Sequence, residues 1–121
     1  MITVPRFVVA ILGISLLLPI VPAAAGHFAG SCAVELNAVE LAITDANFLG
    51  SRAATNESNL LAKLQAAAGK LAQDKPSDAI DKLQDISDAA TALANAAKPK
   101  LEDATAINGA VTAAIGCAGT L

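Results

Sequence analysis

Cys32 and Cys117 are the only cysteines in the chain, and they stand 85 residues apart. An even count with no CxxC spacing reads as one structural disulfide rather than a zinc or redox site. In the chain-entropy picture, closing a loop of that size contributes roughly 4–5 kcal/mol. That is comparable with the whole stability of a small domain. Any fold this chain adopts therefore has to bring those two positions together.

A disulfide presupposes an oxidising compartment, and the N-terminus supplies the address. Residues 1–25 read MITVPRFVVAILGISLLLPIVPAAA. Arg6 and the amino terminus form a short positive region, an apolar run follows, and Ala23-Ala24-Ala25 places small residues where signal peptidase needs them. Cleavage before Gly26 is expected, leaving residues 26–121 as a single domain, secreted or periplasmic, with no stable membrane insertion afterwards. Two alternatives exist. An uncleaved anchor needs about 20 apolar residues, and Pro19 and Pro22 interrupt this one. A lipoprotein would use Cys32 behind Ala29-Gly30-Ser31, but the usual large apolar residue three places before the cysteine is missing.

The remaining sequence reads as four helices. The first runs from about residue 32 to 49. It places Val34, Ala38, Leu41, Ala42 and Leu49 on one face and Leu36, Val39, Ile43 and Ala46 on another, before Gly50-Ser51 ends it. The second follows Thr55, with Asn56 as its N-cap and a stripe of Leu60, Leu61, Leu64, Ala68 and Leu71. The segment Asp74-Lys75-Pro76-Ser77 is a turn whose proline opens the third helix. That helix carries Ile80, Leu83, Ile86, Ala90, Leu93 and Ala97 inward. Lys98-Pro99 breaks or kinks it. The fourth covers residues 100–115, with Leu101, Ala104, Ile107, Val111 and Ile115 inward.

Four helices with short connections favour an all-α, up-down-up-down four-helix bundle. In that topology the start of the first helix and the end of the last share one end of the molecule, and the two cysteines occupy those places. The alternative is a third and fourth helix fused into one proline-kinked rod.

The chemistry-bearing residues are sparse. A single histidine, His27, no Trp, no Tyr and a net charge of −3 argue against a nucleic-acid surface. His27 lacks the partner ligands a metal site needs. Asp78, Asp81, Asp85 and Asp88 fall opposite the apolar side of their helix and read as a solvated face. Glu35 and Asp45 lie about 15 Å apart along one helix axis, beyond the roughly 5–10 Å of a glycosidase carboxylate pair. Asn108 stands at the edge of the inner face of the fourth helix, either buried or exposed. Asn56-Glu57-Ser58 matches a glycosylation sequon, although a cap accounts for it equally. No cofactor motif is present and an enzyme is not expected.

Asn59-Leu60-Leu61-Ala62-Lys63-Leu64, then Leu71, Ile80, Leu83, Ile86 and Leu93, then Lys98-Pro99-Lys100-Leu101 resemble the FIMAH type of small helical module in secreted bacterial proteins. The resemblance spans residues 59–115. It implies an exported accessory or interaction module without an assigned activity, and it transfers no catalytic residue. The candidate interaction face is Leu36, Val39, Ile43 and Ala46, for a protein partner or a second copy of the chain. The alternative function is carriage of a small apolar ligand in an Ala-rich bundle interior.

Mass spectrometry of the exported protein, denatured but not reduced, is expected to give a chain beginning at Gly26 and about 2 Da lighter than its dithiol form. A mass beginning at Met1, or two free thiols, would overturn the export reading.

Overall fold

The computed structural model describes residues 28–121; the expected signal sequence, its cleavage point before Gly26 and His27 lie outside the described residues. Four helices follow one another: α1 (Ala33–Asp45), α2 (Ala53–Ala72), α3 (Pro76–Asn95) and α4 (Thr105–Ala118). Each packs on its neighbours in the chain, and α1 closes the ring against α4. The architecture is the expected up-down-up-down bundle, with the disulfide between Cys32 and Cys117 at one end. Helices α3 and α4 are separate rather than one kinked rod.

The core positions share one spacing. Leu60, Leu64, Ala67 and Leu71 of α2 step by four, three and four residues, as do Ala79, Leu83, Ile86 and Ala90 of α3 and Ile107, Val111, Ala114 and Ala118 of α4. Leu36, Val39 and Ile43 of α1 step by three and four. This is the 3.5-residue seam of helices packed a little off antiparallel. The seam corrects the sequence reading in each of the last three helices. Ala67, Ala79 and Ala114 are fully buried, whereas Ala68, Ile80 and Ile115 flank the core half-buried, and Ala97 lies beyond the end of α3 and is exposed. Alanines on the seam let helix backbones come close, and the longer isoleucines cover the edges.

The turns follow from local chemistry. Asp74 takes a left-handed φ of 59°. Lys75 N donates to Lys70 O (2.9 Å) and Asp74 N to Leu71 O (3.1 Å), closing α2 with the paired bonds of a Schellman motif. Asp occupies the position where glycine is usual, and a short polar side chain tolerates that conformation. Pro76 then opens α3 in its first turn, as expected.

Helix boundaries at the opposite end depart from expectation. α1 stops at Asp45, four residues short of Leu49, and α4 starts at Thr105 rather than near Lys100. The cause is a clasp between the two connections there. Leu49 N donates to Lys100 O (2.9 Å) and Glu102 N to Asn47 O (3.0 Å), pairing Phe48 with Leu101 in an antiparallel bridge. Asn47 Nδ2 adds a bond to Glu102 Oε1 at 3.0 Å. Lys100 N also returns to Leu93 O (2.9 Å), supplying a donor for a carbonyl in the last turn of α3. α2 begins earlier than expected, at Ala53, so Asn56 lies within its first turn and is not its cap.

Leu101 sits in this clasp and is wholly buried although it belongs to no helix. Leu101→Ala is expected to cost about 2–5 kcal/mol, the range of a helical core leucine, while Lys100→Ala stays within about 0.5 kcal/mol. Thermal unfolding followed by circular dichroism checks this, and equal melting temperatures for the two variants would remove the clasp from the core.

Candidate functional site

The disulfide end is the most constrained part of the molecule. Cys32 occupies the N-cap position of α1 with a left-handed φ of 61°, just after Gly30 at φ 85°. Its partner Cys117 lies in the last turn of α4, with the two Cα atoms 5.9 Å apart. The chain before Cys32 is also held: Phe28 N donates to Asn37 Oδ1 (2.9 Å) and Asn37 Nδ2 to Phe28 O (3.3 Å). The positions of Cys32 and Cys117 are those of a disulfide pair.

The proposed interaction face is corrected by the structure. Leu36 is 1% exposed and Val39 and Ile43 are 0% exposed, because their spacing is the one that faces the bundle seam. Ala46 is half-buried against the same core. The outward face of α1 is the other one: Val34 is 79% and Leu41 48% exposed, with Ala38 between them. Both faces of α1 carry apolar residues at three- and four-residue steps, so the sequence of this helix alone did not decide between them.

Beside Leu41 runs an open groove of about 360 Å³ between α1 and α4, lined by Ala38, Leu41, Ala42, Asp45, Ala46, Asp103, Ala106 and Ala110. Its walls are mostly methyl groups with two carboxylates at one end. A second groove of about 370 Å³ lies between α2 and α3, bordered by Lys63, Lys82 and Asp85. A third, of about 300 Å³ and more polar, lies between α3 and α4 around Asn95, Glu102, Asp103 and Asn108.

Asn108 is half-buried and bonded through both ends of its amide. Its Oδ1 accepts from Ser87 Oγ (2.8 Å) and its Nδ2 donates to Thr91 Oγ1 (3.1 Å), tying α4 to α3. Asp78, Asp81, Asp85 and Asp88 are all exposed, as a solvated face requires. Asp45 is exposed at the end of α1, and Glu35 is half-buried beside the disulfide. One Glu35 carboxylate oxygen and the sulfurs of Cys32 and Cys117 all lie within 4.8 Å of one another. The sequence reading did not connect Glu35 with the cysteines, although it follows the N-cap Cys32 by three positions.

The amide nitrogen of Asn56, which a glycan would occupy, is buried without a hydrogen-bond partner. A sugar at the sequon does not fit this folded arrangement. Among the described residues no helix is long and apolar enough to cross a membrane. No protein-family model, curated protein or solved structure matches the chain.

Asp103 opens α4. Its Oδ1 accepts from Thr105 N at 2.9 Å, and hydrogen bonding from the Thr105 side chain and backbone holds its carboxyl below the ordinary aspartate value. An ionised acceptor at a helix N-terminus is favourable. A carboxyl lowered on folding stabilises the fold above the unfolded pKa and loses that contribution as the pH falls through the folded one. Wild type is therefore expected to exceed Asp103→Ala in stability at pH 6, with the gap closing as the pH drops below about 3.9. Denaturant titrations of both proteins at several pH values measure it, and a gap that does not narrow in acid would refute the ionic cap.

Proposed function

We propose that the protein is an exported, non-enzymatic helical module that acts by binding another protein, with self-association as the simplest form. The observation that carries this reading is the outward row of Val34, Ala38 and Leu41 on α1, flanked by the methyl-lined groove against α4. The inner face of α1 already satisfies the core, so this second apolar face serves no packing need within the bundle. Apolar residues clustered on a surface mark contact sites when they are contiguous. The disulfide is compatible with an oxidising compartment, and the FIMAH-like cadence of residues 59–115 agrees with an exported accessory module.

The second reading, carriage of a small apolar ligand, rests on the same groove rather than on the bundle interior. The interior is occupied by side chains such as Leu64, Leu83 and Ile107 at 0% exposure. A net charge of −3, with lysines dispersed among acids, supports a partner other than nucleic acid.

Wild type is expected to associate, and Leu41→Glu to abolish that association while leaving stability within about 0.5 kcal/mol, as for other surface changes. Native mass spectrometry and sedimentation of the exported protein read both species. A wild-type monomer carrying a small adduct that denaturation releases would shift the reading to ligand carriage. A bare monomer indistinguishable from Leu41→Glu would overturn both.

A further inference from the structure

We propose that opening the Cys32–Cys117 disulfide creates a binding site for zinc, formed by the two sulfurs and the Glu35 carboxylate. The three ligand atoms already lie within 4.8 Å of one another while the bond is closed. In a tetrahedral zinc site, with Zn–S of about 2.3 Å and Zn–O of about 2.0–2.2 Å, ligand atoms stand roughly 3.5–3.8 Å apart. Glu35 thus lies close enough to join the sulfurs after a side-chain adjustment of about 1 Å, and the sulfurs must move apart. A Cα separation of 5.9 Å leaves room for that at the side-chain level.

The surroundings suit the cation. Cys32 is buried, whereas Cys117 and Glu35 are half-buried, so the site is walled on the bundle side and reachable from solvent on the other. Cys32 also sits at the N-cap position of α1, where the positive end of a helix favours a thiolate. Thiolates select soft or borderline cations over calcium and magnesium. Two sulfurs and one oxygen leave the fourth tetrahedral position to water.

The steps balance with a dithiol as reductant. It passes two electrons and two protons to the disulfide, the S–S bond breaks to give two thiols, and the dithiol becomes a disulfide. Zinc binding then forms two metal–sulfur bonds and releases both thiol protons to solvent. The oxidised protein has no free thiol, so binding is confined to the reduced form. The same pair of cysteines would exchange a covalent tie between α1 and α4 for a metal-mediated one.

The test uses the purified protein, oxidised or reduced anaerobically with a phosphine that is then removed. Cadmium serves as an absorbing probe of thiolate ligation and zinc as the competitor. Reduced wild type is expected to bind one equivalent with cadmium–thiolate absorption, and oxidised wild type none. Glu35→Gln is expected to weaken binding at least tenfold, and reduced Cys117→Ser to lose the absorption. Far-UV circular dichroism is recorded throughout; helicity lost on reduction and regained on adding zinc would also support the site. No stoichiometric binding by the reduced protein, equal affinity in Glu35→Gln, or helicity lost on reduction that zinc does not restore would each overturn it.

Discussion

The bundle is closed at both ends by contacts that lie outside its seam of buried side chains. At one end the Cys32–Cys117 bond joins the N-cap residue of α1 to the last turn of α4. At the other, the Phe48–Leu101 bridge joins the connection after α1 to the connection before α4. Both closures act on the same pair of helices, the first and the last. An α1–α4 contact is the one that short loops cannot enforce, because those two helices are farthest apart in sequence. Loop-closure entropy opposes it most strongly, and constraining the unfolded chain is where a disulfide acts.

That arrangement compensates for a thin core. About a quarter of residues 26–121 are alanine, and five of them, Ala67, Ala79, Ala90, Ala114 and Ala118, occupy the seam at 0–1% exposure. Alanine incurs no side-chain entropy loss on burial and is the best helix former, but it removes little apolar surface from water. The chain thus gains helix stability and close approach at the expense of hydrophobic burial. Leu101 adds a large buried side chain from outside the helices, which places the clasp within the core rather than beside it.

How much of this could be read from the sequence differs from feature to feature. The disulfide, the four-helix count and the turn at residues 74–77 were legible because each depends on local signals or on elimination: two cysteines admit one pairing, and a proline after a polar turn opens a helix. The face of α1 was misread because both of its sides are apolar, so periodicity alone offers two answers. Only the seam spacing of its neighbours selects Leu36, Val39 and Ile43. The ends of α1 and α4 were misplaced for a related reason. Asn47–Leu49 and Lys100–Glu102 give up helical continuation for hydrogen bonds to each other, and a long-range exchange of that kind leaves no mark in either segment by itself. Asn108 could not be assigned from sequence because its partners, Ser87 and Thr91, lie on another helix.

Among the four helices, α1 is the one whose composition exceeds what the fold asks of it. Its inner face gives three buried residues to the seam and its ends are fixed by a covalent bond and by the clasp. Its packing against α2 is less extensive than that of α2 against α3. A helix held so firmly at its ends tolerates polar residues along its outer side without loss of position. Yet that side carries Val34, Ala38 and Leu41. Placing these residues in water contributes nothing to folding, since they are exposed before and after it. Their position on a short helix with rigid ends gives the molecule an apolar surface in a fixed orientation, and a contact made there loses little conformational entropy on binding.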